Sequence, residues 1–229
     1  KKKEGRFPVY QTTERPDRAA QAILEGRVVL LTDNSPEALI FPATLNSLFQ
    51  TADDYYRNER IVTFLRLIRY VAAFLALALP GLYVAAATFH PQLLPGNLIR
   101  SMAEARSGVP FPTAAEVLLM ELSFELLREA GLRMPGPAGN TIGIVGGLIV
   151  GQAAVSANLV SPITVTVAAL TALGSFSIPN EELSEVFRLW KYGILLLGSC
   201  FGILGVMLGC FLLLMLMAEQ ESYGIPWLY

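Results

Sequence analysis

Tyr192 to Ala218 reads YGILLLGSCFGILGVMLGCFLLLMLMA, a run without a charged side chain that follows the polar stretch Asn180 to Lys191 (NEELSEVFRLWK). A helix needs about 20 apolar residues to cross a bilayer, so this run is read as the last span of a membrane protein. Composition agrees. Of 229 residues, 53% are apolar and 16% charged, where a soluble domain carries about a quarter charged. The formal charge of −2 excludes a strongly basic nucleic-acid binder.

The charges are unevenly placed. The first 70 positions hold 11 basic and 9 acidic residues, leaving 6 and 10 for the remainder. The first part therefore reads as soluble and the rest as greasy. The chain opens Lys1-Lys2-Lys3-Glu4 with no hydrophobic signal region, and is expected to be an internal piece of a longer protein. Arg15 to Glu25 predicts a short helix with Pro16 in its first turn and Gly26 just past its end. Arg27 to Leu31 and Glu37 to Phe41 flank the turn-forming Thr32-Asp33-Asn34-Ser35-Pro36, which predicts a hairpin. A lone hairpin is marginal in water, so these strands are expected at the edge of a larger sheet. The fold class is thus mainly α. Residues 1–60 are the end of a small α/β cytoplasmic domain, and residues 61–229 are a polytopic α-helical membrane domain.

The first span is expected from about Phe64 to Phe89, with Arg57, Arg60, Arg66 and Arg69 at its entry placing the soluble part in the cytoplasm. Pro80-Gly81 inside it should kink or break the helix. Pro95 to Ser107 is too polar to span and reads as a short interfacial or re-entrant helix. Ala138 to Val160 and Ile163 to Ile178, parted by Ser161-Pro162, predict a tight helical hairpin whose second arm is short for a span. With the final run this makes four hydrophobic segments. Trp190, Tyr192, Tyr223, Trp227 and Tyr229 flank that run and suit an interfacial aromatic belt. His90 should end the first span before Pro91.

Pro112 to Arg133 (PTAAEVLLMELSFELLREAGLR) is an amphipathic helix beside these segments. Glu121, Glu125, Arg128 and Glu129 fall on one side, with Val117, Met120, Phe124, Leu126 and Leu127 over much of the other. A lipid-facing crossing is disfavoured, because each ionisable group in hydrocarbon costs roughly 2.5–3.5 kcal/mol on the insertion scale. Its carboxylates Glu116, Glu121 and Glu125 read either as a solvated face, with Glu125–Arg128 or Glu129–Arg133 pairs, or as one subunit's share of a cation-attracting ring. A ring requires a cyclic homo-oligomer.

The helix 141–158 (TIGIVGGLIVGQAAVSAN) repeats glycine at Gly143, Gly147 and Gly151, the small-residue spacing that lets helices approach closely in lipid. Gln152, Ser156 and Asn158 add polar groups at membrane depth, which must face protein or water. This helix therefore reads as closely packed, or as facing a pore or subunit interface, with Gly147, Val150, Gly151 and Gln152 as candidate pore or gate residues.

Enzyme chemistry finds no foothold. Phosphate-loop, dinucleotide and nucleophile-elbow motifs are all missing from the sequence. Cys200 and Cys210 lie within one apolar run, which argues for buried hydrophobes and against a disulfide framework or a metal site. A single histidine makes zinc or triad chemistry improbable. No catalytic residue, metal or cofactor is expected. A secondary transporter would show inverted repeats with paired broken helices, and the sequence shows no convincing repeat.

The runs LPGLYVAAATFHPQLLP (79–95), GVPFPTAAEVLLMELSFELLREAGLRMPGPAG (108–139), VGGLIVGQAAVSANLVSP (145–162) and FSIPN (176–180) strongly resemble the A-subunit family of spore germination receptors. That family comprises GerA-type A subunits and the related stage V sporulation protein. The likeness runs from about Gly26 onward. It implies a multi-pass protein of the spore inner membrane, oligomeric, working with a transporter-like B subunit and a lipoprotein C subunit. It further implies a part in a nutrient-gated channel that releases monovalent cations early in germination. The stage V homologue would instead amplify germination with a different membrane partner. A non-conducting scaffold that couples a sensor to another channel stands as the alternative. The germinant, the subunit number and the side of the membrane reached after the last span stay open in the sequence.

Overall fold

In the computed structural model, residues 7–133 and 137–228 are described, without the side chains of residues 137–145 and 148. The chain is mainly helical with small sheets. In order it forms β1 (Gln11–Thr13), α1 (Pro16–Leu24), β2 (Val28–Leu31), β3 (Ala38–Phe41), α2 (Leu45–Leu48) and a 3-10 turn (Ala52–Tyr56). There follow α3 (Glu59–Thr88), a 3-10 turn (Pro91–Leu93), α4 (Gly96–Ala105), α5 (Thr113–Leu132), α6 (Pro137–Ser156) and α7 (Pro162–Phe176). The last elements are α8 (Glu181–Phe201), α9 (Ile203–Glu219), β4 (Glu221–Ser222) and β5 (Ile225–Pro226).

Contacts divide the chain into two compact units, and the division does not follow chain order. Unit 1 comprises Lys1–Phe74, Gly174–Trp190 and Cys210–Tyr229; unit 2 comprises Leu75–Leu173 and Lys191–Gly209.

In unit 1 the expected hairpin is present as β2–β3, with Leu30 opposite Leu39 and Asn34 in the left-handed region at the turn (φ 61°). The strand β1 adds to the other side of β3, giving the antiparallel order β1-β3-β2. The edge strand β2 carries exposed Val28, Leu30 and Leu31. Asp54 is buried and receives two hydrogen bonds from Arg69, at 2.7 and 2.9 Å. The Thr51 amide and hydroxyl donate to the same carboxylate at 3.1 and 3.0 Å. Burial alone would raise the Asp54 carboxyl, but the Arg69 and Thr51 hydrogen bonds outweigh it and hold Asp54 well below the ordinary carboxylate range.

The segment after α9 completes this unit. The tight turn between β4 and β5 uses Tyr223 (φ 51°) and Gly224 (φ 85°), the positive-φ pair of a type I′ turn. Ser222 Oγ donates to the Val9 carbonyl at 2.8 Å and accepts from the Ala43 amide at 3.1 Å. Trp227 is fully buried, its ring 5.0 Å from that of Phe7. The aromatic-belt expectation is therefore corrected for Trp227, whose indole completes a protein core. Tyr229 lies outside the described residues.

Among the described residues, α3 is the one helix long and apolar enough to cross a membrane by length and composition. It runs as one helix through Pro80, so of the expected kink or break the break does not occur. The adjacent Gly81 lies against Ile194 and Val206.

The run 192–218 is not one helix. It breaks at Gly202, which takes a left-handed conformation (φ 64°), and the polar stretch 181–191 is continuous with its first part as α8. Gly198 lies against Val206, Gly205 against Leu197 and Gly209 against Ile194, so α8 and α9 form an antiparallel hairpin. A Cβ on Gly198 would also meet the Gly81 carbonyl at 3.0 Å. Three backbones thus converge on a seam that only glycine permits. At 17 residues α9 is about 25 Å long, short of a bilayer core of roughly 30 Å.

Candidate functional site

The apolar face of α5 packs into unit 2 through two clusters. Val117 joins Val84 and Leu195, and Met120 joins Ala154, Val160 and Ala168. Burying these side chains carries Glu116 and Glu121 inward with them. Both are buried, at 0% and 2% exposure, while Glu125 is half-buried. The expected solvated acidic face is corrected for these two residues: each carboxylate is inside the unit, beside its own cation.

Glu116 is fully satisfied. Its Oε1 accepts from Arg106 Nε at 3.2 Å, with Arg106 Nη2 at 3.1 Å. Its Oε2 accepts from the Ser161 amide at 2.9 Å and the Thr164 hydroxyl at 3.0 Å. The carboxylate thereby sits at the N-terminal end of α7, bonded to the amide of Ser161 just before it, where negative charge is favoured. Arg106, which follows α4, is tied to the same point.

Glu121 is different. Its Oε2 accepts from Lys191 Nζ at 2.6 Å, and Lys191 is itself buried. The other oxygen, Oε1, is buried with no hydrogen bond. The Tyr192 hydroxyl donates to the Glu121 backbone carbonyl at 3.4 Å, and the Lys191 ammonium sits 5.0 Å from the Tyr192 ring centre. An isolated buried charge costs several kcal/mol, so each of these pairs exists because its partner does.

The glycine helix packs against its own chain. A Cβ on Gly146 would strike Leu127, one on Gly147 would touch Phe124 at 3.5 Å, and one on Gly151 would approach Val165 at 3.3 Å. Gly147 and Gly151 thus face α5 and α7 of the same chain, whereas Val150 is half-buried and Gln152 exposed. Ile149, Gln152, Ala153 and Ser156 form one exposed stripe at helical spacing. Gly143 lies where side chains are not described. Among the described residues no group of three His, Cys, Asp or Glu could hold a metal.

The whole chain, residues 1–229, matches the family model described as Bacillus/Clostridium GerA spore germination protein. The chain belongs to the GerA family. Its GerA relatives include Spore germination protein GerLA of Bacillus cereus, 42% identical over 221 residues, covering 96% of this chain and 45% of that one. Spore germination protein A1 of Bacillus subtilis (strain 168) is also 42% identical, covering 96% of this chain and 46% of its own. The uncharacterized membrane protein YfkQ of the same strain is 45% identical over 222 residues, covering 97% and 43%. The chain spans less than half the length of these relatives. No solved structure matches it.

The GerA resemblance was legible in the motifs, but the carboxylates' partners were not. Ser161, Thr164 and Lys191 lie 45, 48 and 70 positions from the carboxylates they meet, and Arg106 lies 10 before Glu116, outside α5. One signal was available: Lys191 is the only lysine beyond the first three residues, and it stands at the mouth of the longest apolar run.

Proposed function

We propose that this chain is the portion of a germination-receptor A subunit in the spore inner membrane that joins the end of a cytoplasmic domain to the membrane domain. It assembles as a cyclic homo-oligomer that forms a nutrient-gated monovalent cation channel, alongside a transporter-like B subunit and a lipoprotein C subunit. Residues 7–58 belong to a cytoplasmic domain whose sheet continues beyond the exposed edge strand β2. Unit 2 belongs to a polytopic domain in which α3 crosses and the α8–α9 hairpin enters and returns. Membrane lipid covers the exposed apolar faces, and no catalysis is involved.

The observation that carries the channel reading is the exposed stripe of α6. Gln152 and Ser156 have no hydrogen-bond partner among the described residues, and at membrane depth polar groups need water or protein. A water-filled axis lined by this stripe satisfies both, with half-buried Val150 beside it as the apolar constriction that closes by dewetting. In the full-length subunit reconstituted into liposomes, Val150→Ala should raise resting potassium leak and Gln152→Leu should lower stimulated flux. Unchanged flux in both, with assembly intact, overturns the channel assignment.

One observation favours the non-conducting scaffold. Two of the three carboxylates that would furnish an acidic ring are buried against internal cations. Under that reading Gln152→Leu weakens assembly and leaves flux in the receptor unchanged.

A further inference from the structure

Glu116 and Glu121 sit on one helix, both buried and both ion-paired, yet only one of these sites is complete. Arg106 meets Glu116 with a planar, multi-donor fork, and the Ser161 and Thr164 groups occupy the remaining oxygen. Glu121 meets a single ammonium on a flexible four-carbon stem and keeps Oε1 without a partner at 2% exposure. Such an oxygen carries a desolvation penalty that a finished structural pair avoids.

The Tyr192 hydroxyl lies on the Glu121 backbone carbonyl at 3.4 Å, so hydroxyl and carbonyl oxygens stand beside the carboxylate. Carboxylate, hydroxyl and carbonyl oxygens are the ligands of hard cations. One carboxylate paired with one ammonium balances a single positive charge rather than two.

Lys191 is the first residue of α8 within unit 2, and α8 ends at the left-handed Gly202. We infer that Glu121 is a monovalent-cation site whose resident cation is the tethered ammonium of Lys191, and that an alkali cation binds there when the ammonium is withdrawn. The ammonium and the free cation are alternatives for one carboxylate, so occupancy by one excludes the other. This inference goes beyond the channel assignment, because the site exists whether or not the oligomer conducts.

The test uses thermal melting of the full-length subunit in detergent, in potassium, sodium or N-methylglucamine chloride at equal ionic strength. The unaltered protein should melt alike in all three. Lys191→Met should melt lower in N-methylglucamine and regain several degrees, saturably, in potassium or sodium. Glu121→Gln/Lys191→Met, which removes the carboxylate's charge, should be indifferent to the cation. Equal destabilisation of Lys191→Met in all three salts overturns the inference. Failure of Lys191→Met to fold even in concentrated potassium chloride does so too, whether or not the double variant folds, because a site that accepts a free cation must tolerate loss of the ammonium. Liposome flux plays no part in this readout, so it fails or succeeds independently of the channel.

Discussion

Gly205 of α9 lies so close to Leu197 of α8 that a Cβ at position 205 would overlap the Leu197 carbonyl. Backbone cannot yield as a side chain can, and the cost of overpacking a tight site is about 1–3 kcal/mol or more. Gly205→Ala should therefore lower the melting temperature or block production of the protein. Gly193→Ala, on the same hairpin but with nothing within 4 Å of its Cβ position, should be neutral or stabilising by about 0.5–1 kcal/mol. Equal behaviour of the two in a thermal-shift comparison would show that the seam is not closed.

The two ends of the Arg106–Glu116 pair are unequal. Arg106 has a side chain 27% exposed and can rehydrate, whereas Glu116 is sealed at 0%. Arg106→Ala strands a buried carboxylate and should cost about 3–5 kcal/mol. Glu116→Gln keeps an oxygen for the Ser161 amide and Thr164 hydroxyl, and should cost distinctly less. Chemical denaturation of the two variants side by side checks the order.

Asp54 predicts a stability change on the acid side. Its folded carboxyl is held below the ordinary range, while the unfolded chain titrates near pH 3.9. Above that value the Asp54–Arg69 contribution is fully present. It is lost as pH falls from about 4 through the lower folded value, because the unfolded state takes up the proton first. Melting curves of Asp54→Asn and the unaltered protein should converge as pH is lowered through this window. Parallel curves would remove Asp54 from the account.

Trp227→Ala should cost about 3–5 kcal/mol, as the fully buried indole leaves a cavity beside Phe7 and frees the Pro8 carbonyl. Limited proteolysis of the variant should cut first within residues 7–50. Protection equal to that of the unaltered chain would mean that the 221–227 segment is dispensable to unit 1.

How much of this was readable from the residues depends on the range of the interaction that decides each element. Pro16 and Gly26 bound α1, and Asn34 turns the hairpin, because propensity and turn chemistry act over a few positions. The run 192–218 misled for the same reason. Hydropathy is blind to Gly202, whose positive φ and close approach to Phe89 and His90, far back in the chain, both disfavour a side chain. Pro80 does not break its helix, and the adjacent Gly81 lies against Ile194 and Val206, distant in sequence. The charge on α5 was legible, but which carboxylate faces inward was set by Arg106 and Lys191, which no local pattern links to Glu116 and Glu121.

The bond from Trp227 Nε1 to the Pro8 carbonyl, 2.8 Å long, joins residues 219 positions apart. Synthesis runs from Pro8 toward Trp227, and domains ordinarily fold as they emerge. Here unit 1 cannot close until Trp227 is made, since every helix from α3 to α9 lies between the two partners of that bond. A ribosome that stalls, or an insertion that goes astray anywhere along those helices, leaves Phe7 and Pro8 uncovered. The closed state of unit 1 thus reports that the helices between Pro8 and Trp227 have been made, in a form legible to any protease that cleaves exposed apolar segments.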